Sequence, residues 1–301
     1  MYELNYKPYH QMRDWVSERI TADWCILSYN PCAINLLERR LRSIKWIFLA
    51  ENPNGINLIE KNLDKIDSLD WLILNPNAIH LFKEHLDKIY CGELSRNPSA
   101  IKLLEQNLDK INWDHLSANP NAINLLEKNL DKINWDFLSK NPSAIHLLEK
   151  NIEKINWSIL SENPNACQLL KSNTDKICWR RLSANPNAIH LLEQNPDKIN
   201  WTSLSKNPNA IQLLERNQNK IDWSNLSGNQ NAIHLLELNQ GRIDWNIIQQ
   251  NPSIFEVDYE FLKERISFYK EELIQKCFHP KRLFYYLDSY NYDIGEEEYQ
   301  D

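Results

Sequence analysis

The sequence predicts an all-α protein, a right-handed α/α (or α/3₁₀) solenoid of about ten 22-residue repeats of two helices each, with a helical cap at both ends. Tryptophan returns every 22 residues from Trp113 to Trp245, and Trp24 and Trp46 share that register. An Asn-Pro step recurs at the same interval, with one 23-residue gap before Pro76. The chain holds 13 Pro and only 5 Gly, and nearly every Pro marks this repeat position. A fixed period of this length indicates stacked units.

Residues 1–21 lack the repeat but are rich in Tyr and Trp, which predicts an N-terminal cap over the first unit. They contain no apolar core typical of an export signal, and no apolar run in the chain reaches the roughly 18 residues of a membrane helix. The 6 cysteines show no CxxC spacing, which is typical of a reducing compartment. We therefore expect an intracellular protein that does not enter a membrane.

The first helix of each repeat is predicted to be short. Asn112 is a suitable N-cap for the segment Trp113 to Ala118, and the residue before Pro120 is excluded from helical geometry. One to two turns remain, partly 3₁₀. Ile111 and Leu116 supply an apolar face together with Trp113, which this spacing predicts to be a core residue.

The second helix is predicted to run for about nine or ten residues, which is two to three turns. Asn119 is the expected N-cap and Pro120 the first helical residue, since its missing N–H needs no partner there. Asn129 is expected to adopt the left-handed conformation that ends a helix, with Leu130 folding back onto Leu125.

A single unit buries too little apolar surface to offset the conformational entropy of 22 ordered residues, so the units must stack. Ten full units and a half unit span residues 22–254. At about 8–10 Å per unit they would form a rod of about 90–100 Å. From Phe255 the pattern changes, predicting a helical C-terminal cap at 255–294, with helices near 259–277 and from His279-Pro280, and an acidic tail at 295–301.

The motif D/N-W-x-x-L-S-x-N-P-N-A-I-x-L-L-E-x-N-x-D-K-I resembles uncharacterised short repeats of proteins from giant viruses of amoebae, the mimivirus relatives. The resemblance covers residues 22–254 and the closing FHPKRLFYYLDSYNYDIGEEEY. It implies a viral protein of the host cytoplasm or virus factory, or of the virion, but no activity. A remoter likeness to leucine-rich-variant repeats implies the fold only. The cysteine cluster that holds iron and sulfur in some of those proteins is missing here, so no cofactor is expected.

The position between Ile and Leu-Leu in the second helix is always polar and varies between repeats. Because it lies on the exposed side of that helix, we interpret it as the surface that selects a protein partner. The position after the terminal Asn is apolar in the first six repeats only. This difference either concerns only how each helix is closed, which we favour, or gives an apolar edge for a partner or a second copy, and for the second case two residues of this position are added as candidates. The candidate partner-binding residues are His80, Lys102, Asn124, His146, Gln168, His190, Gln212, His234, Leu86 and Leu108.

A cation stands in one register of nine successive repeats, which suits contact with a nucleic-acid backbone. The candidate residues for this alternative are Lys88, Lys110, Lys132, Lys154, Lys176, Lys198 and Lys220. An acidic residue precedes most of them, so we favour a solvated, largely self-neutralised edge. The formal net charge of −7 also gives no general attraction to phosphate.

No catalytic, cofactor or metal site is predicted. The four histidines of the polar register are two or three repeats apart, too far to meet on one ion. No nucleophile–base pair and no Gly-rich phosphate loop is present. The sequence therefore predicts a non-enzymatic scaffold that presents an extended surface to a protein partner, with possible self-association and no small-molecule substrate. RNA binding along the Lys register and a structural role in the virion or virus factory are the alternatives.

Overall fold

The structure, a computed structural model, describes residues 9–82, 91–279, 281–282 and 285. The chain divides into two compact units, Met12–Glu256 and Met1–Gln11 with Val257–Asp301. The described residues are mostly helical, and the helices repeat along the larger unit. The predicted all-α repeat solenoid is confirmed.

Each repeat begins with a short helix, here called the A helix. In most repeats an Asn or Asp caps it, as Asn112 does by accepting the backbone N–H of His115 at 3.1 Å. The next Asn-Pro step ends it within two turns, as predicted. The A helices are Trp24–Tyr29, Trp46–Glu51, Leu69–Leu72 (3₁₀), Cys91–Leu94, Trp113–Ser117, Trp135–Lys140, Trp157–Leu160, Trp179–Ala184, Trp201–Leu204, Trp223–Ser227 and Ile247–Gln250 (3₁₀).

The second helix, here called the B helix, is only about half as long as predicted, because the Asn-Pro-Asn segment forms a separate turn. In that turn the Asn119 side chain accepts the backbone N–H of Asn121 at 3.0 Å. The α-helix starts after Ala122. The B helices are Ile34–Glu38, Ile56–Glu60, Ile79–Phe82 (3₁₀), Ile101–Glu105, Ile123–Glu127, Ile145–Glu149, Cys167–Lys171, Ile189–Glu193, Ile211–Glu215 and Ile233–Leu238, and 3₁₀ turns at Pro98–Ala100 and Gln230–Ala232 lead into two of them.

The predicted left-handed helix end is wrong. Asn129 has φ −137° and ψ 49°, and its side chain closes the helix by donating to the Leu125 carbonyl at 2.8 Å. Leu130 does not fold back but starts a 3₁₀ turn and is 50% exposed. The corresponding turns are Leu41–Ser43, Leu63–Lys65, Leu108–Lys110, Leu130–Lys132, Ile152–Lys154, Thr174–Lys176, Pro196–Lys198, Gln218–Lys220 and Gln240–Arg242.

A continuous apolar core runs through all the repeats. In the repeat that starts at Trp113, Leu116, Ala122 and Leu126 are fully buried, and Ile133 is almost so. Their counterparts in neighbouring repeats are buried to the same degree. Trp113 and the other repeat tryptophans are half-buried and pack against the edge of this core. Only one face of each indole therefore contributes to the core.

A ladder of buried asparagines joins successive repeats. Asn119 donates through Nδ2 to the carbonyls of Ser95 and Asn97, both at 3.0 Å. The 23-residue repeat keeps this pattern, because Asn75 still donates to Ala50 and Asn52. The eleven ladder residues, all at most 3% exposed, are Asn30, Asn52, Asn75, Asn97, Asn119, Asn141, Asn163, Asn185, Asn207, Asn229 and Asn251.

The ladder has no end, because its first member bonds to its last. Asn30 donates to the carbonyls of Gln249 at 3.0 Å and Asn251 at 3.3 Å, as every other ladder Asn does to the repeat before it. The A helices Trp24–Tyr29 and Ile247–Gln250 also pack together. The unit Met12–Glu256 is therefore a closed ring of eleven layers. The rod expected from the sequence is wrong, because a constant small bend between repeats brings the two ends into contact.

N-terminal residues complete the last repeat at this seam. The short helix Asp14–Ser17 begins next to Ile254, at the point of the last repeat where a B helix would start. The backbone N–H of Arg13 donates to the Ile254 carbonyl at 2.9 Å, and Val16 is fully buried. Trp15 meets Trp245 edge-on, with ring centroids 6.3 Å apart. Residues 12–21 thus fill a gap in the ring and do not cover a free end.

A long side chain at the seam takes over a contact that Ser makes elsewhere in the ring. In the regular repeats the Ser117 hydroxyl accepts the backbone N–H of Asn134 and donates to the Trp113 carbonyl. Gln249 occupies this position in the last repeat, where its Oε1 accepts the Asp23 N–H at 2.7 Å. Its Nε2 donates to the carbonyls of Trp245 and Thr21, both at 3.3 Å.

The A helices form the inner layer of the ring. Trp135–Lys140 packs directly against the A helices on both sides, and the short side chain of Asn225 reaches the Thr202 carbonyl one repeat away at 3.3 Å. Adjacent B helices instead meet through long side chains, as His146 and Glu127 do at 3.0 Å. Spacing between layers grows with distance from the axis of a ring, so the closely spaced A helices lie inside.

The smaller unit contains the C-terminal helix Tyr259–Cys277, which matches the helix predicted near 259–277. Asp258 caps it by accepting the Phe261 N–H at 3.0 Å, and the Phe261 ring lies on Tyr9 with centroids 4.1 Å apart. Two short strands, His10–Met12 and Phe255–Val257, form a two-stranded sheet that the sequence did not predict. The acidic tail at 295–301 lies outside the described residues.

Candidate functional site

The variable polar register lies on the outer layer of the ring, where all of its predicted residues are exposed. Two of the histidines pair with a carboxylate of the preceding repeat: His80 with Glu60 at 2.6 Å and His146 with Glu127 at 3.0 Å. The register therefore forms an outward-facing circle of side chains and brings no three of its members together. Its described residues are His80, Lys102, Asn124, His146, Gln168, His190, Gln212 and His234.

The predicted apolar edge is also exposed. Leu108 is 49% exposed, and the equivalent positions in the other described early repeats, Leu41, Leu63, Leu130 and Ile152, are 46–50% exposed. Leu86 lies outside the described residues. Each exposed side chain starts a 3₁₀ turn in its own repeat, so the edge is a series of separate apolar positions.

The cations of the Lys register stack on the repeat tryptophans. The Nζ of Lys154 lies 4.6 Å from the ring centroid of Trp135, which begins the same repeat, and this is a cation–π contact. Lys132, Lys176, Lys198 and Lys220 repeat this geometry at 4.4–4.8 Å, and Arg242 does so at 5.1 Å. Lys110 belongs to the repeat that has Cys91 in place of Trp, and Lys88 lies outside the described residues. These cations cover the outer faces of half-buried aromatic rings.

At Lys65 the cation instead pairs with the acidic residue before it. Its Nζ lies 2.8 Å from the Asp64 carboxylate, and this hydrogen bond lowers the pKa of Asp64 and raises that of Lys65. The self-neutralised edge predicted from the sequence is thus present at Lys65. From Lys132 onward, the larger part of the register uses the tryptophan faces.

The inner wall of the ring carries a cluster of exposed apolar side chains that the sequence analysis missed. Three positions of each A helix point away from the core: the first, second and fifth residues after the Trp position, or Asp114, His115 and Ala118 in one repeat. In the first three repeats most of these positions are apolar. We call them the inner apolar patch: Tyr29, Ile47, Phe48 and Leu74, which are 41–52% exposed, with the half-buried Ile26 and Trp71.

Elsewhere on the inner wall these positions are mostly polar or small, apart from Phe137, Ile159 and Ile247, and some of the polar residues pair between repeats. Arg96 donates to the His115 ring at 2.8 Å, with Glu93 beside both residues. In a later repeat Arg181 donates to Glu162 at 3.0 Å. The wall therefore changes around the ring from an apolar arc to a charged one.

The patch could not be found from the sequence by periodicity alone. The residues that form it lie close to the repeat Trp in the sequence, which predicts that they belong to a core helix. Only closure of the ring places them on one concave wall. One signal was available: Ile47 and Leu74 stand where Asp136 and Lys206 stand in other repeats. Large apolar residues at positions that are polar or small in most other repeats indicate an exposed apolar patch.

No group of three or more His, Cys, Asp or Glu side chains in the described residues is arranged to hold a metal ion. Burial raises the pKa of the thiols of Cys32 and Cys167, which disfavours the thiolate. Within the same part of the chain no helix is long and apolar enough to cross a membrane. No family model, no curated protein and no solved structure matches the chain.

Proposed function

We propose that this protein is a non-enzymatic scaffold whose ring presents exposed side chains to a protein partner. One observation carries the proposal: the buried positions are nearly the same in every repeat, whereas the side chains that vary are exposed. Leu116, Ser117 and Asn119 recur around the ring as core and ladder residues, while His146 and its counterparts change from repeat to repeat. A constant framework with variable surface residues is the arrangement by which repeat proteins recognise other proteins.

The alternative of nucleic-acid binding along the Lys register is less well supported. The ammonium groups of Lys132 and its successors rest on tryptophan rings, and reaching a phosphate would cost those contacts. A role as an end-to-end strut is also less favoured, because the ladder from Asn30 to Asn251 leaves no free repeat face to extend. A viral protein of the host cytoplasm or virus factory is the setting that the motif resemblance implies, and we include it in the proposal.

Affinity capture with the full-length chain tests the proposal. The wild type is compared with an outer-register variant, His80→Ala with His146→Ala, and with an edge variant, Leu108→Lys, all checked for unchanged melting. Samples are treated with nuclease. We expect a protein that the wild type retains at a fixed stoichiometry and that at least one variant loses. Capture that disappears with nuclease, or the absence of any protein retained by the wild type at a fixed stoichiometry, would contradict a protein-binding scaffold. Equal capture by all three proteins would exclude the outer register and the apolar edge as the binding surface.

A further inference from the structure

We propose that the inner apolar patch binds one basic amphipathic helix of a partner protein. This inference rests on the proposed function and makes it specific: it names the binding surface and the chemistry of the partner. Four large side chains, Tyr29, Ile47, Phe48 and Leu74, come from three consecutive repeats and are 41–52% exposed. Apolar side chains that are clustered in this way mark a binding surface more than scattered ones do.

The concave position of the patch limits the shape of its occupant. Eleven helices about 8–10 Å apart stand on a circle about 28–35 Å across, which leaves about 18–25 Å between facing helix surfaces. An α-helix with its side chains is about 10–12 Å wide, so one helix fits against one wall. A folded domain presents a surface that is too broad to reach Ile47 and Leu74 inside the ring. A single projecting helix can reach them.

The charge around the patch determines which residues are favoured on the polar face of that helix. Among the inner-wall positions of the first three repeats, the charged residues are Glu51 and Asp70, which are both exposed carboxylates. No Lys or Arg occupies these positions. A helix that covers Ile47 and Leu74 with Leu or Met therefore places its flanking residues beside negative charge, and Lys or Arg is favoured there. The nearest inner-wall cation, Arg96 of the fourth repeat, is paired with Glu93, and Arg180 and Arg181 lie on a distant arc of the wall.

Labelled model peptides test this inference on the full chain. The probe is a peptide of about 18 residues, or five turns, with Leu on one face and Lys on the other, and its matched control replaces every Lys with Glu. Fluorescence anisotropy measures binding of each. We expect the Leu/Lys peptide to bind with one peptide per chain and at least about tenfold more tightly than the Leu/Glu peptide.

Two double variants, which replace side chains of similar exposure, locate the site. Ile47→Lys with Leu74→Lys alters side chains that are 45% and 42% exposed on the inner wall. Leu130→Lys with Ile152→Lys alters side chains that are 50% and 46% exposed on the outer edge and adds the same charge. We expect Ile47→Lys with Leu74→Lys to bind the Leu/Lys peptide at least about tenfold more weakly than wild type. The affinity of Leu130→Lys with Ile152→Lys should stay within about twofold of wild type. Equal loss in both variants would overturn the inference, because it would show a general charge effect.

The carboxylates have a separate test. Glu51→Gln with Asp70→Asn removes the negative charge at constant size, and we expect weaker peptide binding at low salt and little difference from wild type at high salt. Loss that persists at high salt would contradict the proposed charge contact. Binding of single-stranded RNA at the expense of the peptide would refute the choice of partner.

The results also separate this inference from the proposed function. A protein partner that is lost on the outer-register variant but kept by Ile47→Lys with Leu74→Lys leaves the scaffold function in place and removes the inner site. If the peptide binds at the inner wall but no protein is captured, the inner site is supported and the proposed scaffold function is contradicted.

Discussion

Replacement of Asn30 by Ala tests ring closure most directly. Asn30 is 1% exposed, and its side chain makes three hydrogen bonds: it donates to the Gln249 and Asn251 carbonyls at 3.0 and 3.3 Å and accepts the Cys32 N–H at 3.0 Å. Asn141 in the middle of the chain makes the same three bonds, to Ser117, Asn119 and Ser143. If the ring is closed, the two asparagines have equivalent surroundings.

The magnitude follows from the bonds that Ala removes. Each buried hydrogen bond contributes about 1 kcal/mol net, and a buried group left without a partner costs about 1–3 kcal/mol, so either substitution should lower the free energy of unfolding by about 3–5 kcal/mol. In an open rod Asn30 would lie on the end face, where water replaces the bonds to Gln249 and Asn251. The loss would then be about 0.5–1 kcal/mol.

Urea unfolding followed by far-ultraviolet circular dichroism measures the difference. Asn187→Ala is the control, because Asn187 is an exposed Asn whose Nδ2 makes a single hydrogen bond, to the Pro164 carbonyl at 3.0 Å. We expect Asn30→Ala and Asn141→Ala to shift the midpoint together and well beyond Asn187→Ala. If Asn30→Ala behaves like Asn187→Ala while Asn141→Ala is strongly destabilised, the reasoning for a closed ring is refuted.

Three further predictions concern single contacts. Gln249→Ala removes the side-chain partner of three backbone groups at the seam, and we expect it to lower the free energy of unfolding by about 1–3 kcal/mol in the same urea assay. Lys154→Gln removes a cation from the face of Trp135 and should cost about 0.5–1 kcal/mol, whereas Lys110→Gln should cost less because its repeat partner is not Trp; equal losses would argue against the cation–π contact. The pKa of Asp244 is lowered, chiefly by a backbone N–H of its own helix, so its contribution is present above its unfolded pKa and is lost as pH falls through its folded pKa. Thermal melts below neutral pH should therefore show less acid destabilisation in Asp244→Asn than in wild type, and identical melting curves would contradict this.

The repeat and its two helices could be predicted from the sequence because the signals are local. Trp113, Asn119 and Pro120 recur at a constant interval, and each determines a helix start or stop within a few residues. The helix end at Asn129 was predicted wrongly because two closures are open to Asn: a left-handed backbone, or a side chain that donates to the carbonyl four residues earlier. The backbone of this repeat adopts the second.

Closure could not be predicted from the sequence because it depends on a small angle summed over all repeats. The bend comes from the difference in spacing between the A and B layers, which no single unit reveals. The inner apolar patch depends on the same angle, since Ile47 and Leu74 share one concave wall only in a bent array. The outer register could be predicted, because the exposure of His146 follows from the helix period alone.

The endless asparagine ladder also fixes the copy number of the unit. Open arrays can gain or lose a unit during evolution, because a new unit meets the same neighbours as the one it duplicates. Here eleven layers share a full turn, about 33° each, and a twelfth would require about 30° at every junction. The extra residue in the stretch that ends at Asn75 shows the change that this geometry tolerates: it lengthens a loop and leaves the bonds to Ala50 and Asn52 in place. Duplication of a whole unit would instead strain all the junctions at once, so we expect related chains to vary in loop length before they vary in number of units.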